Sequence, residues 1–293
     1  MMRGRWGRAL GLAITTALFT AGGAARAADL GPTSTSQPAK TGVDALGRES
    51  YWGLGTSRLF VSSTVDAGYL YFRPQIAVGY GKPHWSWIGA ELYPSISGGG
   101  AVEYAGLRAA LRHVDVRVGA RYVLSFNRHF LAPRGSFTRE NVETRSGKPS
   151  RYVGLDSEVA FSIPLYLGTI FGLVGAYGIF GVPEGSFVFE EGLHTVMKPP
   201  FIARARLGYA VALGDISLGA FGEVIVNPGR SKPVARAGPS LGLRISDHLD
   251  LFATFAFVLG SSDNLGLLSG DIGTLGVRYR WASGESVPVY MIP

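Results

Sequence analysis

The stretch VDVRVGARYVLSF, residues 114–126, decides the fold. Its even positions hold Val114, Val116, Val118, Ala120, Tyr122, Leu124 and Phe126, while Asp115, Arg117, Gly119, Arg121, Val123 and Ser125 stand between them. An apolar side chain at every second position defines a strand with one greasy and one polar face, because successive side chains of extended backbone point to opposite sides. The same alternation returns at 201–213, around Arg204 and Arg206, and at 272–281, around Arg278 and Arg280. Runs at 86–97, 101–112, 152–163, 169–180, 215–227, 234–245 and 249–259 follow it with one or two exceptions each. Most are 10 to 13 residues long. That exceeds the usual globular strand and matches the roughly 9–11 residues a tilted strand needs to cross a bilayer.

Composition narrows the class. The 42 glycines and 16 prolines among 293 residues argue against a helical bundle, and a hydrophobic share of 46% argues against disorder. Absence of cysteine removes disulfides, zinc–thiolate and iron–sulfur sites and thiol nucleophiles. Charged residues are only 17%, and mean hydropathy is +0.19. The second face of the alternating runs is largely Gly, Ala, Ser and Arg, where a soluble sandwich would carry Lys, Glu, Thr and Ser. Small residues and arginines suit a confined, wet interior. The expected fold is therefore all-β, a transmembrane antiparallel up-and-down β-barrel. Residues 159–183 carry no charge and are long enough for a membrane helix. Pro164 and Gly168 interrupt them, and Phe171, Leu173, Tyr177 and Ile179 then alternate with Gly172, Ala176 and Gly178. Two strands and a tight turn are the expectation there.

At the start of the chain, Arg3, Arg5 and Arg8 precede an uncharged run that ends in Ala25-Arg26-Ala27. A basic region, an apolar run and a small-x-small site describe a secretory signal peptide, assigned to 1–27. Its removal takes away four arginines and lowers the formal charge from +7 to +3, so nucleic acid is not an expected partner. Residues 28–52 read as a flexible periplasmic segment, 53–281 as the barrel and 282–293 as a periplasmic tail.

Connections alternate in length. Short ones fall near 81–85, 113–114, 164–168, 213–215 and 246–248, and longer ones at 127–151, 181–199, 228–233 and 260–271, with Gly98-Gly99-Gly100 a tight exception among the latter. Short turns on the periplasmic side and long loops outside make the strand at about 68–80 run downward. An upward strand at 54–64, turning near Val65-Asp66-Ala67, must precede it. The expected total is twelve strands, with ten and fourteen as alternatives. Trp52, Trp85, Trp87 and Trp281 fall at the periplasmic end and, with Tyr279, form the expected aromatic girdle.

The last alternating run, with Gly273, Leu275, Val277, Tyr279 and Trp281, resembles the closing strand of bacterial outer-membrane β-barrel proteins. The resemblance covers 53–281 and is to the class. It implies residence in the cell outer membrane, contact with its lipid and lipopolysaccharide, and recognition by the barrel-insertion machinery. Residues 282–293 depart from the pattern, because that strand is usually the chain terminus.

By parity, Arg73, Arg108, Arg112, Arg117, Arg121, Arg204, Arg206, Arg236, Arg244, Arg278 and Arg280 face inward, as do Glu91, Asp115, Asp156, Glu158, Glu223 and Asp250. Eleven basic groups against six acids leave a lumen excess of +5. A narrow positive pore selects anions, so a porin-like channel for small anionic solutes is expected. The alternative is a barrel plugged by arginine–carboxylate pairs that serves envelope integrity or binds a partner. An outer-membrane hydrolase comes third, since no H-E-x-x-H, G-x-S-x-G or P-loop pattern occurs. No catalytic residue, metal or cofactor is assigned. His194, four residues after Glu190, could form an acid–base or metal pair with it but reads better as part of an exposed loop. The basic loop 127–151 could hold lipopolysaccharide phosphates or fold inward, and 185–196, with Phe187, Val188 and Phe189, reads as a hairpin extended above the membrane.

Overall fold

The computed structural model describes residues 50–68, 71–143, 149–270 and 275–284. The proposed signal peptide, residues 28–49 and the tail beyond Gly284 lie outside them. Alternating runs become the strands β1 (Arg58–Gly68), β2 (Tyr71–Lys82), β3 (Ser86–Ser97), β4 (Gly100–Ala110), β5 (Val114–Ser125), β6 (Arg151–Leu165) and β7 (Gly168–Phe180). The wall continues with β10 (Phe201–Leu213), β11 (Ile216–Val226), β12 (Val234–Arg244), β13 (Leu249–Thr254), β14 (Phe257–Gly260) and β15 (Gly276–Ala282). Neighbours along the wall pair antiparallel, β7 with β10 across the loop between them, and β1 closes on β15 from Ser62↔Ala282 to Gly68↔Gly276. The segments β13 and β14 both pair with β12 and form one interrupted strand, so the barrel has twelve. The interruption lies opposite Gly238 and Pro239, where proline has no N–H to give a ladder.

No helix among the described residues is long and apolar enough to cross a membrane. The strands supply the spanning surface instead. Leu59, Val78, Ile88, Leu107, Val118, Leu155, Leu207, Val224, Leu241 and Val277 all project from the outer wall and are exposed. An apolar belt round a closed sheet suits hydrocarbon and would aggregate in water. This is a transmembrane β-barrel of the outer-membrane type.

Small inward residues have a packing reason. The Tyr104 ring and hydroxyl lie over Gly106 and Gly119 and leave no room for a Cβ at either. Tyr177 covers Gly175 and Phe171 covers Gly208 in the same way.

Several expectations are corrected. The first hairpin is displaced: β1 begins at Arg58, and Asp66 is a buried inward residue of that strand rather than part of a turn. Arg112 is exposed in the β4–β5 turn, not in the lumen. In β7 Tyr177 and Ile179 are buried inside, while Val174 and Phe180 face out, because the lumen there is filled with apolar side chains. Residues 50–52 are ordered at the barrel mouth, where Trp52 and Gly53 are buried in a 3-10 turn (Tyr51–Gly53).

If the two faces meet different solvents, arginine at Val118 or Leu207 should destabilise the barrel by about 2–4 kcal/mol. Thr64→Arg, which points into a lumen cavity of about 250 Å³, should cost clearly less. Urea unfolding in lipid vesicles reads both, and equal damage at the two kinds of position would contradict the assignment.

Candidate functional site

Inward charges are organised as shared pairs. Glu223 on β11 has no exposed side-chain surface, and it accepts from Arg204 Nε at 2.6 Å, Arg206 Nη2 at 2.8 Å and Arg236 Nη1 at 3.1 Å. Glu91 on β3 is equally buried and faces Arg117 Nε at 2.7 Å, Arg108 Nη1 at 3.3 Å and Gln75 Nε2 at 2.6 Å. Asp66 holds Arg73 at 2.6 Å and Arg278 at 2.7 Å. Arg108 also binds Asp115, Arg280 binds Asp250, and Tyr177 donates to Glu158 at 2.5 Å. Arg244 stands nearer the mouth on Asp215.

The loop after β7 does not rise above the membrane. Its strands β8 (Val188–Glu190) and β9 (Thr195–Met197) form a hairpin that is buried throughout. Val188, Leu193 and Met197 pack on Val123, Tyr152, Tyr177, Ile179, Ile202, Ile225 and Val234, which belong to β5–β7 and β10–β12. The hairpin therefore leans on one side of the barrel. Glu190, with no exposed surface, meets Arg121 Nη1 at 3.2 Å, the Tyr152 hydroxyl at 3.2 Å and the Leu193 N–H at 2.8 Å. Arg236 Nη2 donates to the Leu193 and His194 carbonyls at 2.8 and 2.9 Å. Glu191 meets Arg128 Nε at 2.5 Å, and Arg128 lies 4.1 Å from the Phe189 ring centre. Burial pushes the Glu191 carboxyl up to about 7, against the pull of Arg128.

Magnitudes separate the roles of these contacts. Burying three aliphatic side chains favours the docked hairpin by roughly 1.5–3 kcal/mol each. Buried ion pairs net near zero, because desolvation offsets attraction. Apolar packing drives the hairpin in, and the charges set where it stops. Above it, Leu131, Phe137, Val142, Phe187, Phe189, Val196 and Leu265 make a second core shared by three outer loops. Arg230 ties that core to Asp263 and to the Arg134 carbonyl. The short helix α1 (Arg139–Val142) lies in the same layer.

The opposite side of the lumen stays open. A cavity of about 520 Å³ on the outer side is bounded by β2–β4, the hairpin and Arg204. A second, of about 250 Å³, lies toward the periplasmic end between Asp66, Trp87, Arg108, Arg117 and Arg278. Arg73 is on the wall of both. Its guanidinium lies 5.6 Å from the ring centres of Tyr71 and Tyr93, and Tyr93 stacks on Tyr104 at 4.6 Å. At the mouth, Trp52 lines two further cavities, of about 260 and 270 Å³. Its Nε1 donates to the Asp247 carbonyl at 2.7 Å, and its ring meets His84 and His248 edge-on at 4.5 and 5.3 Å. His84 sits 3.0 Å from the Trp281 carbonyl. Burial, helped by Arg280, Arg108 and Arg278, drives its pKa down to about 4.

The lumen inventory differs from the sequence reading. Asp66, Glu190 and Glu191 join the acids and Arg128 replaces Arg112, which leaves eleven basic groups against nine. The positive excess shrinks from five to two. Of the expected girdle, Tyr279 and Trp281 are exposed on the outer wall, whereas Trp52, Trp85 and Trp87 are on the lumen side. Trp87 shares the parity of Glu91 and packs on Phe60, Ala77 and Ala110, with Arg108 over its ring. Glu190 and His194 do not form a pair, since Glu190 is engaged with Arg121 and Tyr152 and His194 Nδ1 meets the Gly270 carbonyl. No cluster of three metal-ligating side chains occurs among the described residues.

No family model and no curated protein matches the chain. Solved structures similar to it include Omp33 of Acinetobacter baumannii, at 9% identity over 78% of this chain and 99% of that one, with a TM-score of 0.38. An outer membrane channel from Pseudomonas putida F1 is 10% identical over 78% and 96%, also at 0.38. A loop L8 deletion mutant of OmpT, an outer membrane protein of Vibrio cholerae, is 7% identical over 77% and 99%, at 0.34. Likeness this distant leaves function to the chain's own residues.

Two outcomes test the site. Glu223→Gln strands three guanidiniums and should lower stability by about 3–5 kcal/mol, measured by unfolding in detergent. Adding Arg204→Gln and Arg206→Gln should recover part of that loss. His84 is neutral in the folded chain and would bind a proton near pH 6.5 when unfolded, so its contribution is present above 6.5 and lost as pH falls toward 4. Melting temperature should fall less over that window in His84→Gln than in the wild type, and parallel curves would contradict the buried neutral ring.

Proposed function

We propose that this barrel is a narrow channel for small anionic solutes in the outer membrane, partly filled by its own hairpin. The observation that carries the reading is the pair of cavities that share Arg73 on the side the hairpin leaves uncovered. Wall charge there favours anions. Arg73, Arg108, Arg117, Arg204 and Arg278 border the route; of their carboxylate partners, Asp66, Glu91 and Glu223 are buried, and Asp115 and Glu158 keep only about a quarter of their surface. Field lines in a confined cavity of one sign raise the local concentration of the opposite ion.

A sealed barrel with a structural or partner-binding role is the second reading, favoured by the number of arginines held in buried pairs. Lipopolysaccharide and the insertion machinery belong to either reading as envelope partners.

Planar-bilayer recordings distinguish the two. The channel reading expects small stable conductance steps, a reversal potential on the anion side in a salt gradient, and a shift toward cations in Arg73→Glu. Replacing residues 185–199 with a short Gly-Ser link should enlarge the steps several-fold. A wild type with no open state, joined to a silent hairpin-deleted barrel, would overturn the channel reading.

A further inference from the structure

The outer cavity has a shape and chemistry of its own. At about 520 Å³ it is twice the size of the cavity on the periplasmic side and holds one small organic molecule rather than a file of ions. Its cations are Arg73, Arg128 and Arg204, and its apolar wall is Tyr71, Phe189 and Leu268. Arg139 and Glu143 at the rim pair with each other, at 2.8 Å.

Arg128 is the informative member. Its side chain is 9% exposed, its Nε faces one Glu191 oxygen, and its Nη1 has no hydrogen-bond partner. A buried guanidinium is best satisfied by a carboxylate that takes two of its nitrogens in parallel. Glu191 comes closest to it at Nε and leaves Nη1 without a partner, from a hairpin whose position is fixed by Glu190 and Arg236. The internal carboxylate occupies the site without completing it.

We propose that this cavity is a binding site for a small carboxylic acid with a flat apolar or aromatic body, in which Arg128 takes the carboxylate, Tyr71 and Phe189 flank the body, and Glu191 is a tethered competitor for Arg128. The inference deepens the channel reading, on which its role in transport rests, whereas the binding event itself does not need a conducting pore. Arg73 lies at the inner end of the same cavity, so a solute released from Arg128 next meets the guanidinium that borders the periplasmic cavity.

The test is calorimetry on the full chain purified in detergent micelles, at fixed pH and ionic strength, with sodium benzoate as the probe and neutral benzamide as its control. Benzoate should bind at least tenfold more tightly than benzamide. Glu191→Gln removes the competitor and should tighten benzoate binding, while Arg128→Gln combined with Glu191→Gln, which leaves no buried charge unpaired, should weaken it at least tenfold. Ser95→Trp, which fills the cavity while leaving every arginine of its wall in place, should abolish it. Equal affinity for benzoate and benzamide, or unaltered affinity in the double variant, overturns the proposal. If the double variant does not fold, Glu191→Gln decides alone, since unchanged or weaker binding there is incompatible with a competitor. Benzoate binding in a barrel that never conducts would refute the channel reading only, and conduction with no benzoate binding would refute this site only.

Discussion

A carboxylate with no exposed surface must be met by guanidinium groups, and inside this barrel Glu190 and Glu223 are two such carboxylates. Removing an ion from water costs several kcal/mol unless geometry returns it. That constraint ties the hairpin to the wall. Arg121 and Arg236 project from β5 and β12, on either side of the hairpin, and each holds a different part of it. With those anchors set, Val188, Leu193 and Met197 can rest only on the β5–β7 and β10–β12 side. The space along β2–β4 is what remains.

The same constraint shapes the electrostatics. Eleven inward basic groups would make a strongly positive tube if the acids were only those visible from strand parity. The hairpin brings Glu190 and Glu191 into the lumen, and β1 brings Asp66, so most of the field is spent inside pairs. What survives is local: Arg73, half-exposed between two tyrosine rings where the two cavities meet, and Arg128 with a nitrogen left over. Selectivity in such a lumen depends on those few donors rather than on net charge.

How much was legible in the sequence follows from range. Period-two alternation is local, so the strands β3 to β6, β10, β11 and β12 and their facing could be read from consecutive residues, and with them Arg117, Arg121, Arg204, Arg206 and Arg278. Trp87 was legible too, since it shares the parity of Glu91, but an aromatic at a strand end suggested the lipid interface more strongly. The inward hairpin was not legible. Phe187, Val188 and Phe189 gave a hairpin, yet the groups that hold it lie far along the chain, as Arg236 does from Leu193 across 43 residues. Strand β7 misled for a related reason: Tyr177 and Ile179 are the larger residues and suggested lipid, whereas the hairpin supplies them with an apolar surface inside.

Hydrogen exchange measured by mass spectrometry, on the full chain in detergent or nanodiscs, tests the docked hairpin most directly. Backbone amides from Val188 to Met197 should exchange as slowly as those of the wall they pack on, at Val123 and Tyr152. Exchange of that segment at the rate of an exposed loop, while the wall stays protected, would mean that the hairpin is not held in the lumen and that the charges facing it are satisfied in some other way.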